Sequence, residues 1–349
     1  MADYKYLIVG QGLAGTVLSY QLYTAGIPHK VIDNGHRSAA TLAAAGLINP
    51  ITGRRYVKSW MIEELLPKAI ETYSGLEQLL DIELLHQSDI IRTFDNLTQE
   101  NLWNESTSRP GYEAYTTYAP NPYASYSKTT YGYGVIKQAY QVKVGKMILA
   151  YRDFLINRGL LISQQLKHNE IQYDAVIPSL AGHTFDAIIY NEGYKVIENP
   201  LFKDLPFQPA KGESLIIKTD HQLPKALLRD TVFIAPLSDF TFWSGGGYVW
   251  DKLNEEPTLE FLDSWIEKLE SIWSGHLEVI SHKAGVRPSV KGRRPLIGRH
   301  PVYPRMILFN GMGTKGTSLA PYWAQQLIAH LETGKKLSDE VDLTRFLIK

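Results

Sequence analysis

The sequence predicts an α/β unit built on a parallel sheet, interleaved along the chain with an α+β unit built on an antiparallel sheet. Three observations predict it. A short apolar run, Tyr6-Leu7-Ile8-Val9, leads straight into a glycine-rich turn and a helical stretch, as a buried parallel strand feeding a crossover does. Between residues 214 and 244 three runs alternate apolar and polar side chains at period two, the mark of antiparallel strands. A further apolar strand and helix return only near the C-terminus, at Met306 to Phe309 and about Ser318 to Leu331. Parallel-sheet segments therefore flank and interrupt the antiparallel layer.

Composition excludes several classes. At 349 residues the chain suits one large or two interleaved domains. Lysine plus arginine equals aspartate plus glutamate, 36 against 36, so neither nucleic acid nor a membrane surface is expected as the main partner. The absence of cysteine excludes disulfides, cysteine-ligated zinc, iron–sulfur clusters and a cysteinyl-linked cofactor. No apolar run reaches the roughly 18–20 residues of a membrane span. The first strand begins so early that no signal peptide is expected, which points to a cytoplasmic protein.

The first motif is Gly10-Gln11-Gly12-Leu13-Ala14-Gly15. Gly10 suits the tight turn, Gly12 lets a pyrophosphate approach the backbone, and Gly15 lets helix pack on strand. The helix from Leu13 to about Ala25 places Val17, Leu18 and Leu22 toward the core and ends at Gly26. Its start offers unpaired N–H groups to phosphates. His29 to Ile32 forms the next strand and ends at Asp33, 23 residues after Gly10, where a carboxylate accepts from ribose hydroxyls. The unit reads as a Rossmann-like dinucleotide site, and NAD and FAD both use it. The competing reading is a turn that merely packs helix on strand.

Further along, 112–134 is rich in tyrosine, proline and serine and reads as loops or edge strands over a cleft. A long amphipathic helix is expected from about Val142 to Asn157, ended by Gly159. Leu160 to Ser163 and Asp186 to Tyr190 read as short buried strands. Ser214 to Lys218, Val232 to Ala235 and Thr241 to Ser244 read as antiparallel strands whose core is lined by Phe233, Phe242 and Trp243. Gly311 to Gly316 repeats the glycine spacing, but no strand with a terminal acid follows it. Instead a helix is expected from about Ser318, with Pro321 early in it where a missing N–H costs nothing, ending at Gly334.

Five stretches in order resemble one family. They are Ala43-Ala44-Ala45-Gly46-Leu47, Pro209-Ala210-Lys211-Gly212-Glu213, Phe233-Ile234-Ala235-Pro236 with Gly245-Gly246-Gly247-Tyr248, Ala284-Gly285-Val286-Arg287-Pro288, and Arg294-Pro295-Leu296-Ile297-Gly298 leading into Gly313-Thr314-Lys315-Gly316. The chain resembles the D-amino-acid oxidase, glycine oxidase and sarcosine oxidase superfamily, closest to glycine oxidase in its C-terminal motifs. The resemblance implies an α/β FAD-binding Rossmann-like domain interleaved with an α+β substrate domain. We place the former at 1–80, 142–200 and 284–349, and the latter at 81–141 and 201–283.

The resemblance implies non-covalent FAD held by Gly10, Gly12, Leu13, Ala14, Gly15, Asp33, Asn34, Ala44, Ala45, Gly46, Leu166, Gly193, Gly313, Thr314, Lys315, Gly316 and Thr317. Arg287 matches the arginine that pairs with a substrate carboxylate, which suits a planar two-pronged donor. A structural salt bridge is its competing role. Lys315 and the start of the last helix are expected at the flavin's pyrimidine edge, where they stabilise added negative charge. An exposed loop lysine is the alternative. The six bases from Lys283 to Arg299, with no acid among them, read as a solvated face plus one or two site arginines rather than a nucleic-acid patch. Arg54, Arg55 and Lys58 suit an anionic substrate.

Departures from the family bear on substrate. Its substrate tyrosine falls on Phe233, and two substrate methionines fall on Tyr248 and Leu47. A lysine associated with oxygen activation falls on Gly245, leaving dioxygen or an unknown carrier as electron acceptor. The ten histidines show no ligand spacing, so no metal is expected. The resulting reading is oxidation of the C–N bond of an amino-acid-like primary or secondary amine, with Arg287, Lys315 and Tyr248 closest to the chemistry. A flavoenzyme acting on a modified tRNA base, and an FAD-binding protein without turnover, are the alternatives.

Overall fold

The computed structural model describes residues 2–36, 40–125, 128, 131–174 and 176–347 of the chain. Strand Tyr4–Val9 lies at the centre of a seven-stranded sheet, between His29–Ile32 and His183–Tyr190 and parallel to both. Leu161–Ile162 extends the sheet on one side and Met306–Asn310 on the other, again in parallel. Leu296–Arg299 adds an antiparallel edge. Leu7, Ile8, Ile188, Ile189, Ile307 and Leu308 are fully buried, because helices and loops cover both faces of the sheet. Each such side chain stabilises the fold by roughly 1.5–3 kcal/mol.

Several expected boundaries move for physical reasons. The amphipathic helix begins at Val144, because Tyr140–Val142 pairs instead as a strand with Leu47–Ile48 and Leu85–Gln87. Leu161 and Ile162 are half-buried rather than buried, since they form the sheet's outer strand. The last long helix spans Gly316–Thr333, so Pro321 lies beyond its first turn. The missing N–H therefore leaves the Thr317 carbonyl without its helical donor. Tyr73 fills the gap: its buried hydroxyl donates to Thr317 O at 2.8 Å. Gly334, at φ 75°, ends the helix as expected.

The second sheet has eight strands in the order Leu277–Arg287, Ala210–Thr219, Thr241–Val249, Phe233–Ser238, Leu227–Arg229, Ile90–Phe94, Gly132–Ile136 and Thr116–Thr117. All neighbours are antiparallel except Leu227–Arg229 beside Ile90–Phe94. Phe242 is fully buried, packed with Trp265 and Trp273. Trp243 points the other way, as alternation requires, and with Phe233 it is half-buried, so these two do not line that core. The residues 112–134 do supply edge strands, but Tyr112, Tyr115 and Tyr123 are buried core rather than a cleft roof. Pro209 to Glu213, which the resemblance makes a turn leading into the substrate-domain sheet, is instead the start of one continuous strand, Ala210–Thr219. A division at 283/284 falls inside strand Leu277–Arg287.

Candidate active site

One cavity of about 1350 Å³ is lined by residues of both sheets and by two helix starts. It runs from the Gly10 turn to Arg287. Every residue expected to hold FAD, line the substrate pocket or lie closest to the chemistry lines it except Gly15. Arg54 and Lys58 also line it, whereas Arg55 does not. Gly15 lies behind the wall, where a Cβ would sit 1.9 Å from Gly10 O, so its role is the close approach of helix to turn. Gly10 has φ 97°, and a Cβ there would lie 2.7 Å from Asn191 O. At Gly12 a Cβ would meet nothing nearer than Thr41 Oγ1 at 3.8 Å. The missing side chain at Gly12 thus leaves cavity space open.

Helix Leu13–Thr24 starts without a side-chain cap on Gly12, and helix Gly316–Thr333 also starts without one. The two starts abut, since a Cβ at Gly316 would lie 2.8 Å from Leu13 Cδ2. Both therefore present positive potential to one cavity, and at the first of them Thr41 Oγ1 takes the Leu13 amide at 3.2 Å. This arrangement fits the phosphates of an extended dinucleotide such as FAD.

Asp33 is not the free acceptor expected from its position. Its Oδ1 accepts from Arg152 Nη1 at 2.8 Å and from the Gly35 and His36 amides at 2.7 and 3.1 Å. Its Oδ2 accepts from the Gln11 amide at 3.0 Å. The carboxylate thus holds the glycine-rich turn against its own strand end, and only Oδ2 retains capacity toward a ligand. Behind it, Gln11 Oε1 pairs with His36 Nε2 at 2.8 Å, and burial pushes the His36 pKa down. At the far end Leu166 and Gly193 line the cavity beside His168 and Glu192, which pair at 3.1 Å.

The small-residue loop 40–47 is pinned between the sheets. Ala43 O accepts from Ser214 Oγ and from Trp243 Nε1, both at 2.9 Å. A Cβ on Gly46 would lie 1.9 Å from Val142 O, and one on Gly285 would lie 2.9 Å from Ala40 Cα. Ala44, Ala45 and Leu47 are thereby held at the cavity wall.

Arg287 ends strand Leu277–Arg287 with its guanidinium 5.0 Å above the Tyr248 ring. Nη1 donates to Gly247 O at 2.8 Å and Nη2 to Gly246 O at 3.4 Å. Its partners are carbonyls, so the salt-bridge reading is not what the structure contains. Burial lowers its pKa, with Tyr248 opposing the shift. Lys315 Nζ donates to Thr52 Oγ1 at 3.3 Å and Ser59 Oγ at 3.2 Å. Burial, then Arg293 and Arg294, lower its pKa. It is a half-buried cavity cation, not an exposed loop lysine.

Elsewhere in the basic stretch Arg293 and Arg294 also line the cavity, and Arg294 pairs with Glu340 at 3.1 Å. Lys58 pairs with Glu63 at 2.6 Å. Lys211 and Glu213, 3.6 Å apart, are almost wholly buried. Glu213 also takes His282 Nε2 at 2.8 Å and the Thr258 amide at 2.8 Å, so it is a structural acid. Among the described residues no three histidine, aspartate or glutamate side chains gather to hold a metal ion, and no helix is long and apolar enough to cross a membrane.

Sequence reasoning missed Thr41, Arg152, Arg92 and Arg229. Thr41 Oγ1 accepts from the Leu13 amide at 3.2 Å, and Arg152 holds Asp33. Arg92 and Arg229 line the cavity from the antiparallel sheet. The signal for these two is an arginine at an inward position of an otherwise apolar strand, visible only once the strand register is known.

The family model described as FAD dependent oxidoreductase matches residues 5–331. A glycine oxidase of Bacillus licheniformis is 26% identical over 340 residues, covering 91% of this chain and 90% of that one. A glycine oxidase of Pseudomonas aeruginosa is 22% identical over 361 residues, with 95% of each covered. Among solved structures, glycine oxidase from Geobacillus kaustophilus superposes with a TM-score of 0.80 at 17% identity, covering 99% of this chain and 98% of that one. Iminodiacetate oxidase from Chelativorans sp. BNC1 gives 0.76 at 18%, with 98% of each covered.

Proposed function

The chain belongs to the family of FAD-dependent oxidoreductases, and from that premise we propose that it oxidises the C–N bond of an amino-acid-like primary or secondary amine. The fold alone does not select this chemistry, since structures with TM-scores of 0.80 and 0.69 include a glycine oxidase and an L-α-glycerophosphate oxidase. Arg287 carries the reading. It is a half-buried guanidinium on the cavity wall, bound among the described residues through main-chain carbonyls and an aromatic face. A carboxylate is the ligand that such a planar donor recognises.

The FAD site would be formed by the two uncapped helix starts, the space at Gly12, the loop 44–46 and Gly313 to Thr317. FAD, when bound, supplies the hydride acceptor at N5, and the imine product hydrolyses in water. Arg287 fixes the substrate carboxylate, and Tyr248 shields the guanidinium from solvent on one face. Phe233 and Leu47 contribute apolar wall where a glycine oxidase-like pocket expects polar or flexible groups. Positioning of a neutral amine is sufficient here. Of the nearby acids, Glu213 is already held by Lys211, His282 and Thr258.

Gly245 bears on the electron acceptor. A Cβ there would lie 2.7 Å from Glu213 O and 2.8 Å from Trp243 Cζ2. A lysine does not fit, so dioxygen or a carrier must be served without that cation. A modified tRNA base is a second reading, favoured by the stacked pair Tyr248 and Trp250, 54% and 63% exposed at the cavity. Anaerobic mixing with an amine panel tests the first reading. Bleaching of the flavin band by an amino acid supports it, and bleaching by none while tRNA binds tightly favours the second.

A further inference from the structure

Two cavity cations have no task in the reading above. Arg92 and Arg229 stand opposite each other on the parallel strands Ile90–Phe94 and Leu227–Arg229, so both side chains leave the sheet on the same face. Like charges placed directly opposite destabilise a sheet. Neither guanidinium pairs with a carboxylate within hydrogen-bond reach among the described residues. Arg92 Nη1 donates to Arg229 O at 3.1 Å and Asp230 O at 3.2 Å, and Arg229 Nη1 donates to Asp230 O at 2.6 Å. The carboxylate of Asp230 is engaged by Thr93 and Thr231. Among the described residues no hydrogen bond engages Nε or Nη2 of either arginine, three of the five N–H donors that a guanidinium carries.

Their position connects them to Arg287. The Arg229 guanidinium lies 5.6 Å above the Phe233 ring, and Phe233 lines the cavity. The Tyr248 phenol is a charge neighbour of both Arg229 and Arg287. The arginine pair and Arg287 are thus grouped around one part of the cavity, with aromatic walls between them.

We propose that Arg92 and Arg229 form a second anion subsite, and that the substrate is an amine carrying two carboxylates, one held by Arg287 and the other by this pair. The proposal rests on the amine-oxidation reading and narrows it. A monocarboxylic amine would leave two half-buried guanidinium groups facing each other, with the Thr-bound Asp230 carboxylate as the charge neighbour of Arg229. A second carboxylate answers both, because its two oxygens accept from parallel N–H donors.

The test uses the FAD-loaded enzyme and two acids that cannot form an imine, because an ether oxygen stands where the amine nitrogen would be. Oxydiacetate carries two carboxylates and methoxyacetate one. Binding is read by perturbation of the flavin absorption band and by thermal shift. Oxydiacetate is expected to bind at least about tenfold tighter than methoxyacetate. Arg229→Gln is expected to bring that ratio toward one, and Arg229→Lys to keep part of it. Arg92→Gln serves as an independent second variant. Equal affinity for the two acids in the unmodified enzyme overturns the proposal. So does a variant that melts earlier while the ratio stays, since the arginines would then only pin the 229–231 turn. Inorganic phosphate binding more tightly than oxydiacetate, and losing affinity in Arg229→Gln, overturns the dicarboxylate in favour of a phosphate-bearing substrate. Bleaching by amines judges the underlying reading and the affinity ratio judges this one, so the two fail separately.

Discussion

Gly212 and Arg287 occupy one another's space: a Cβ at Gly212 would lie 2.1 Å from Arg287 Nη2 and 2.5 Å from Cζ. The two residues are on paired strands, with Gly212 opposite Gly285 and Ala210 opposite Arg287. The guanidinium therefore lies flat across the neighbouring strand, and the glycine in Pro209-Ala210-Lys211-Gly212-Glu213 is what allows it. In the sequence this glycine reads as part of a turn. In the structure it is the floor under the Arg287 guanidinium.

Gly212→Ala follows from that contact. The obstructing atoms belong to the end of a flexible side chain, so the arginine moves and the backbone need not. We expect FAD content to stay normal and KM for the amine substrate to rise by about tenfold or more, equivalent to ~1.4 kcal/mol. Steady-state kinetics with flavin quantitation check this. An unchanged KM would show that Arg287 has another productive position.

Arg287 itself gives the larger effect. Removing one partner of a buried, hydrogen-bonded charge pair costs roughly 2–5 kcal/mol. Arg287→Ala is expected to weaken binding of a substrate carboxylate by that amount while leaving fold and FAD content intact. Arg287→Lys should recover only part, because an ammonium cannot make the two-pronged contact. Melting temperature and anaerobic flavin reduction are measured on the same protein. A destabilised variant with normal reduction kinetics would falsify the carboxylate assignment.

Gly12 and Gly15 separate a ligand role from a packing role. Gly12 faces open cavity, whereas a Cβ at Gly15 meets backbone at 1.9 Å. Gly12→Val is expected to fold with near-normal melting in its FAD-free form and to lose flavin on purification. Gly15→Val is expected to lose the fold, since Gly10 O belongs to the tight turn and cannot retreat. Circular dichroism and absorbance at the flavin band distinguish them. Retention of flavin by a folded Gly12→Val protein removes Gly12 from the site.

Much of this architecture was legible in the sequence because local rules and tertiary outcome agree in those places. Tyr6 to Val9 is apolar throughout because both faces are covered, and Gly10 and Gly15 keep their separate tasks of turn and close packing. What was not legible depends on partners far along the chain. Asp33 is engaged by Arg152, 119 residues away, and nothing near Asp33 announces that pairing. The opposition of Arg92 and Arg229 needs the register of two strands 137 positions apart. Pro321 looks like a first-turn proline until Tyr73 is seen donating to the carbonyl it leaves free. Trp243 and Phe242 share a strand, and period two alone does not say which face is the cavity.

Lys315 gives a pH-dependent prediction whose sign is fixed by its surroundings. Burial and the neighbouring Arg293 and Arg294 lower its pKa in the folded chain, from about 10.4 in an unfolded one. Between the lowered value and about 10.4 the unfolded state binds the extra proton, so stability rises with pH across that window. Below the window the cost of holding a buried ammonium is fully present. Lys315→Met is therefore expected to melt higher than the parent at neutral pH when FAD is removed, and the gain should shrink as pH rises through the window. With FAD bound the sign should reverse in a different observable. If the ammonium offsets charge gained on reduction, Lys315→Met lowers the flavin midpoint potential by roughly 30 mV for each ~1.4 kcal/mol of stabilisation lost. Thermal melts at several pH values and a dye-coupled potential titration measure the two effects. A variant with lower FAD-free stability and an unshifted potential would place Lys315 with Thr52 and Ser59 as a structural cation only.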